Sequence, residues 1–228
     1  MRNFFDIDGP LIEGLTKVAD IVILNLLFIV CSIPIITIGA SWTAMYYVTL
    51  KMVKNEECYI VKSFFRSFKQ NFKQATLIWL IMLFIGFILY FDVKVMGGEY
   101  GQVIAASSGV AKVMSVLLMA ATVFYLLVIS YVFPVLSRFD NTIKNTMKNA
   151  LFMSIKHFPL TIVILVVILV PLAIVYMNPR LFILIFVIFG LIAYITSYSF
   201  VKIFKNYMPN EGIADDNEFE IKIEDNNK

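Results

Sequence analysis

Few side chains within the apolar parts of this sequence could do chemistry, and Asp20 and Asn25 are the strongest candidates. An ionisable or amide group inside a membrane segment is costly to bury and often marks function. The two residues are five positions apart, so on a helix they lie about 140° from each other and do not share a face. Asp20 has three open interpretations: a structural carboxylate that is interfacial or paired with Lys17, a packing group, and a substrate or ion site. We expect Asn25 to hydrogen-bond between helices.

Other signatures of chemistry are absent from the sequence. It contains no nucleotide-binding, metalloprotease or serine-hydrolase motif of the usual spacing. The single histidine, His157, and the two cysteines, Cys31 and Cys58, do not form a metal-ligand pattern. We therefore predict no catalytic residue, no metal site, no cofactor and no nucleic-acid partner, and we expect that the protein is not an enzyme.

Five stretches without Asp, Glu, Lys or Arg determine where these side chains can lie. Each has at least 18 residues; they cover 21–50, 74–91, 113–137, 157–179 and 181–201. About 20 apolar residues in a helix cross the hydrocarbon of a bilayer. Hydrophobic residues make up 60% of the chain and charged residues 15%, against about 45–50% and 25% in soluble domains. The sequence thus predicts an all-α polytopic membrane bundle with five or six transmembrane helices over residues 1–208.

Charge predicts the orientation of this bundle. Lys and Arg are concentrated in residues 51–73, 138–156 and 202–228, and the positive-inside rule places such segments in the cytoplasm. Residues 209–228 hold seven acidic side chains, two lysines and few aromatic residues. That composition predicts an acidic, disordered cytoplasmic tail. We expect a multi-pass protein whose C-terminus is cytoplasmic.

The first apolar stretch allows two topologies. It has 30 residues, and Pro34, which removes a helical hydrogen bond, stands near its middle. One interpretation is a single kinked span and five crossings. The other is a hairpin, with a helix over 11–33, a turn over 34–39, a short helix over 40–53, and six crossings. The distribution of basic residues favours six. Pro34, Gly39 and Pro134 are the predicted helix breaks.

Two basic segments have the pattern of amphipathic helices. In residues 58–74, phenylalanines and cations fall on opposite sides of a helix. The candidates for contact with the lipid interface are Lys62, Arg66, Lys69, Lys73, Phe64, Phe65, Phe68 and Phe72. Residues 139–158 repeat the pattern more weakly. We predict that both segments are interfacial helices lying in the headgroup region, against anionic lipids on the cytoplasmic side of the bilayer.

The sequence resembles the bacterial YesL family, also called the domain of unknown function 624 family. The matching stretches are Gly9–Leu11, Asn25–Leu27 followed by Pro34, Thr37–Ala40 with Ala44, and above all SFFRSFKQNFKQ at 63–74, leading into Ala75. The resemblance covers most of residues 1–205 and is densest in the first 95. It implies a small multi-pass protein of the bacterial plasma membrane, often encoded beside sugar-uptake ABC transporters and glycan-degrading enzymes. It implies no activity.

Two functions fit these features better than a membrane enzyme, for which the residues are lacking. The first is a non-enzymatic accessory or scaffold protein that works with an ABC sugar importer or another membrane protein in carbohydrate uptake. Scarce intramembrane charge and the cytoplasmic placement of the basic helices and acidic tail favour it. The alternative is a small permease or channel for a sugar or other small solute. Proline-broken helices and a possible internal repeat favour that alternative.

Overall fold

The computed structural model describes residues 10–97 and 109–208, whose regular structure is entirely helical. Its seven α-helices are α1 Pro10–Cys31, α2 Ile38–Val53, α3 Ile60–Gly97, α4 Gly109–Arg138, α5 Ile143–Lys156, α6 Phe158–Met177 and α7 Ile185–Phe204. Short 3-10 helices occupy Ile35–Thr37 and Pro179–Leu184. Helices α1, α3, α4, α6 and α7 are long and apolar enough to cross a membrane. The predicted all-α polytopic membrane bundle is confirmed, whereas the predicted tail, 209–228, lies outside the described residues.

The first apolar stretch folds as two helices. Helix α1 ends at Cys31 and α2 begins at Ile38, so the single kinked span is wrong and the two predicted helices are confirmed. Helix α2 is not among the five helices long and apolar enough to cross a membrane, so the sixth crossing stays a prediction. Pro34 lies in the break, where its backbone is extended. The Lys17 Nζ atom lies 3.4 Å from Asn55 Oδ1, which brings the start of α1 beside the end of α2. The two helices therefore form an antiparallel hairpin.

Backbone carbonyls in the turn of this hairpin accept hydrogen bonds from side chains of the protein. The Thr37 hydroxyl contacts the carbonyl oxygens of Cys31 and Pro34 at 2.6 and 2.7 Å. Trp79 Nε1 donates to the Ile35 carbonyl at 2.8 Å. Unsatisfied carbonyls would cost several kcal/mol each in hydrocarbon, so these bonds make a break in an apolar segment tolerable. Because 18 residues of α3 follow Trp79, the turn lies beside the middle of α3 and not at its end.

Helix α2 is largely enclosed by the rest of the bundle. Eleven of its 16 residues are buried, and it packs against α1, α3, α4 and α7. Gly39 allows the close approach to α3, since a Cβ atom there would lie 2.6 Å from the Ala75 carbonyl oxygen and from Trp79 Cβ. Gly39 thus stands in the first turn of α2 as a contact residue, and the prediction that it breaks a helix is wrong.

Pro134 does not break a helix either. Helix α4 continues through it to Arg138, contrary to the prediction, and every residue from 130 to 137 is buried. The hydroxyls of Ser130 and Ser137 donate to the carbonyls of Leu126 and Pro134, both at 2.7 Å. Packing by neighbouring helices and hydroxyl groups is the usual reason why a transmembrane helix tolerates proline.

The first basic segment is not a separate helix. It forms the first four turns of α3, whose 38 residues run without a break over about 57 Å at the usual rise. The hydrocarbon core is roughly 30 Å thick, so α3 is long enough to cross it and extend well beyond. The prediction of a distinct interfacial helix over 58–74 is therefore wrong. The second basic segment does form a helix of its own, α5.

The packed core lies at the end of the bundle that carries the basic segments. Phe200 is fully buried there, with ring centroids 5.1 Å from Tyr131 and 5.6 Å from Tyr46. At the other end, the facing parts of α3 and α4 are mostly exposed, including Phe84 and Met119. The bundle is thus tightly packed at one end and opens towards the other.

Candidate functional site

The exposed side of the first four turns of α3 combines cations with aromatic rings. Lys62, Arg66, Lys69 and Lys73 are exposed, and their spacing of three and four residues places them on one side of the helix. Phe65 and Phe72, with 39% and 36% of their surfaces exposed, stand beside them. We call these six residues the basic face. An amphipathic helix at a membrane surface has this combination of residues.

The four predicted lipid-facing phenylalanines do not share one environment. Phe64 is fully buried and Phe68 is half-buried against the core. They begin a buried stripe that continues along α3 through Ala75, Ile78 and Met82. This stripe packs inside the protein, so the prediction that Phe64 contacts lipid is wrong. The apolar side predicted from the sequence included more residues than the stripe that packs in the core. Of the four phenylalanines, Phe65 and Phe72 lie at the edge of this side and are exposed.

Two open grooves lie along the basic face. The larger has a volume of about 660 Å³, lies between α1 and the start of α3, and is lined by Ile23, Tyr59, Ile60, Val61, Lys62 and Phe65. The second, of about 480 Å³, runs along α3 and is lined by Phe68, Lys69, Gln70, Phe72 and Lys73. In both grooves, apolar or aromatic walls stand next to lysine ammonium groups.

The second basic segment joins this surface through Gln74. Helix α5 packs on α4 with Thr146, Ala150 and Met153 buried, while its lysines remain exposed. Gln74 Nε2 donates to the Asn141 carbonyl at 2.6 Å and lies 3.4 Å from the Thr146 hydroxyl. Gln74 therefore ties the end of the basic face to the start of α5. The sequence pattern did not predict this contact.

The junction of α5 and α6 holds the end of the described chain. Tyr207, three residues after α7, places its hydroxyl 3.3 Å from His157 Nε2. The Lys156 ammonium lies 5.1 Å from the centroid of the Tyr207 ring, a cation–π distance. His157 is therefore a packing residue at this junction. Among residues 10–97 and 109–208, no three His, Cys, Asp or Glu side chains are grouped so that they could hold a metal ion.

Asn25 joins α1 to α7. It is fully buried; its Nδ2 donates to the Ile185 carbonyl at 3.1 Å, and its Oδ1 accepts from the Gly190 amide at 2.8 Å. Gly190 makes the approach possible, because a Cβ atom there would lie 2.9 Å from the Ile21 carbonyl oxygen. The predicted hydrogen-bonding role of Asn25 between helices is confirmed. The part played by Gly190 was not anticipated.

Asp20 lies apart from Asn25, half-buried on α1. The Lys17 ammonium, its predicted partner, makes its hydrogen bond with Asn55 instead. A salt bridge joins Lys54 to Glu56, at 3.5 Å, near the end of α2. The interpretation of Asp20 as paired with Lys17 is therefore wrong. The structure does not bring the two predicted intramembrane polar residues into one site.

Pairs of buried hydroxyl groups connect other helices. Tyr46 on α2 lies 3.2 Å from the Thr196 oxygen on α7, and Thr49 lies 2.8 Å from the Ser197 oxygen. The Tyr131 and Thr161 oxygens, on α4 and α6, are 2.7 Å apart. Within the described residues, two buried side-chain oxygens lack a partner, those of Ser32 and Thr76. Most of the buried hydroxyl groups are thus used in contacts between or within helices.

Asn25, the turn of the hairpin and the basic face lie in a segment that matches a family model. Residues 21–93 match the model of a family described as "Protein of unknown function, DUF624". The match confirms the resemblance over the second half of α1, all of α2 and most of α3. A search of curated proteins and a search of solved structures found no match.

Proposed function

We propose that this membrane protein is a non-enzymatic accessory or scaffold protein of the bacterial plasma membrane. The supporting observation is that its buried polar groups bond to one another, whereas its cations are exposed. Tyr46, Thr49 and Tyr131 bond to hydroxyls of neighbouring helices, so they stabilise the bundle. The cations of α3 and α5 are exposed. The groups available to recognise another molecule therefore lie on the surface.

The orientation we propose places the basic end in the cytoplasm. Gln74 bonds to Asn141, which precedes α5, and the rings of Phe139 and Phe204 are 5.3 Å apart. These contacts gather the start of α3, the end of α4, α5 and the end of α7 at one end of the bundle. Lysines and arginines gathered at one end favour the cytoplasmic side under the positive-inside rule. The C-terminus lies there as well in this orientation.

The basic face is proposed to contact anionic lipids of the cytoplasmic leaflet. Long lysine side chains can lie along apolar surface while their ammonium groups reach the headgroups. Each cation near an anionic leaflet contributes about 1 kcal/mol. Phe65 and Phe72 are exposed next to the lysines and can enter the boundary between headgroups and acyl chains.

The partner we propose is a membrane protein, with an ABC sugar importer as the first candidate. The gene neighbourhoods implied by the family resemblance suggest the importer and the link to carbohydrate uptake. The apolar end of the bundle supplies a membrane-embedded surface, where Phe84, Phe87 and Tyr90 of α3 are more than half exposed. Transmembrane helices associate through packing on such surfaces.

Co-purification tests the accessory role. Affinity-tagged protein, extracted from its native membrane in mild detergent, should retain importer subunits that mass spectrometry identifies. A variant with Phe84→Ala and Phe87→Ala should lose a partner packed on the apolar end of α3, and Phe152→Ala, an exposed ring on α5 at the basic end, is the matched control. Retention of no membrane protein by the unaltered chain would contradict the proposal.

The second candidate, a small permease or channel, is favoured by the two buried hydroxyls without a partner. Ser32 lies at the hairpin break and Thr76 lies on α3, and free hydroxyls can bind a polar solute. Purified protein in liposomes distinguishes the two functions. We expect no saturable flux of monosaccharides, oligosaccharides or common ions. Uptake that Ser32→Ala, Thr76→Val or Asp20→Asn abolishes would favour the permease.

A further inference from the structure

The groove between α1 and α3 has apolar walls from two helices. Ile23 forms the α1 wall and is 43% exposed, while Val61 and Phe65 on the α3 wall are 49% and 39% exposed. Tyr59, the residue before α3, is 82% exposed. Apolar walls of this kind favour an aliphatic occupant, because contact removes them from water. The volume of about 660 Å³ leaves room for an extended chain.

One charged side chain, Lys62, lines the same groove. It is exposed and stands one helical turn before Phe65, so its stem can follow the apolar wall while the ammonium reaches the rim. Arg66 and Lys69 follow on the next turns and add positive charge. A sugar or nucleotide would need several converging polar groups, and the walls offer one ammonium and one tyrosine hydroxyl. The lining therefore suits an amphiphile with an apolar chain and a negative head.

We propose that this groove binds one anionic glycerophospholipid, with an acyl chain between Ile23 and Phe65 and the headgroup phosphate at Lys62. The groove lies at the basic end of the bundle, where Ile23 stands two residues inside the first charge-free stretch, which begins at Ile21. Lipids of the adjacent leaflet can enter it directly. The inference deepens the proposed contact of the basic face with anionic lipids and rests on it for the choice of leaflet.

Native mass spectrometry of the purified full-length protein tests this site. The protein is titrated with phosphatidylglycerol or with phosphatidylcholine of the same acyl chains, and the first bound lipid is counted. We expect tighter binding of phosphatidylglycerol. Lys62→Gln should weaken it about fivefold, the equivalent of about 1 kcal/mol for one cation at an anionic leaflet. Ile23→Trp should lower the occupancy of both lipids by filling the groove. Lys94→Gln is the matched control.

These variants distinguish lipid binding in the groove from a general electrostatic attraction of anionic lipids to the basic face. If Lys62→Gln and Ile23→Trp leave phosphatidylglycerol binding unchanged while Lys69→Gln and Lys73→Gln weaken it, the groove proposal is wrong and the wider lipid contact stands. Equal binding of the two lipids by the unaltered protein would overturn both. A peptide or protein that co-purifies and blocks lipid binding in the groove would also overturn the proposal. Thermal unfolding of each variant checks that the exposed substitutions leave the fold intact.

Discussion

Single glycines and amides determine how closely these helices pack. At Gly39 and Gly190, the backbone of a second helix lies where a side chain would begin. Asn25 uses both ends of its amide between α1 and α7. Such close contacts are typical of membrane bundles, in which small residues and interhelical hydrogen bonds hold helices together. At this scale the protein is organised for tight packing at a few points.

Replacing Gly39 tests the most crowded of these points. Gly39→Ala should lower the free energy of unfolding by about 1–3 kcal/mol, the usual cost of overpacking, because the new methyl group would lie 2.6 Å from the Ala75 carbonyl oxygen. Gly14→Ala is the matched control in α1, where nothing lies within 4 Å; it should be neutral or slightly stabilising. Thermal unfolding in detergent measures both. Equal midpoints for the two variants would contradict the packing role.

Removing the Asn25 amide tests the link between α1 and α7. Asn25→Ala deletes the bonds to the Ile185 carbonyl and the Gly190 amide, and should cost about 1–3 kcal/mol. Asn145→Ala, at an exposed position of α5, should change stability by less than about 0.5 kcal/mol. Denaturation in mixed detergent micelles compares the two. If transport or partner binding were lost at unchanged stability, Asn25 would have a functional role beyond packing.

At the scale of the elements, two prolines in charge-free apolar stretches have opposite effects on the helix that contains them. At Pro34 the chain breaks, because Thr37 and Trp79 satisfy the freed carbonyls of a turn. At Pro134 the helix continues, because a fully buried environment holds it in place. The presence of proline by itself predicts a weakened helix at both positions. The partners that decide between a break and a tolerated proline come from elsewhere in the chain.

The hairpin of α1 and α2 leads to a topological prediction. In a variant with Cys31→Ser and Cys58→Ser, single cysteines at Ile12, Glu57 and Asn145 should react with a membrane-impermeant reagent only after the cells are opened. A cysteine at Asn178, between α6 and α7, should react from outside intact cells. The expectation follows from Lys17 lying beside Asn55 and from the basic residues of α5. Labelling of position 12 from outside would contradict the hairpin topology.

The whole molecule is packed unevenly along its length. The buried cluster gathers α2, the ends of α4 and α7, and the first half of α3, which are the parts nearest the basic segments. Towards the 98–108 connection, α3 and α4 are long, apolar and largely exposed. A membrane can cover such surfaces without cost, since lipid tails are as apolar as the side chains. The open end is therefore available to lipid or to a partner's helices.

A matched pair of phenylalanines tests this uneven packing. Phe200→Ala removes a fully buried ring that contacts Tyr46 and Tyr131, and should cost about 3–5 kcal/mol. Phe84→Ala removes a ring that is 66% exposed and should cost less than about 0.5 kcal/mol. Unfolding in mixed micelles measures both. Similar losses would mean that the open end carries as much packing as the basic end.

The sequence by itself determined that this is an all-α membrane protein, because charge-free runs of this length are stable only as helices in lipid. It also favoured the hairpin over a single kinked span, from the distribution of basic residues, and predicted the linking role of Asn25. Both are local properties, readable from composition and from single residue types. The site was predicted in part: the cations of the basic face are exposed as expected, whereas the side of α3 that carries Phe64 was assigned to lipid.

Only the tertiary structure decided which apolar surfaces meet protein and which meet lipid. Residue types do not distinguish them, since both surfaces are made of the same side chains. Phe64 and Phe65 are neighbours in the sequence, yet one is fully buried and the other is exposed. The difference arises because α2 packs on one side of α3. The groove between Ile23 and Lys62 has the same origin, because α1 and α3 form it only when the helices are assembled.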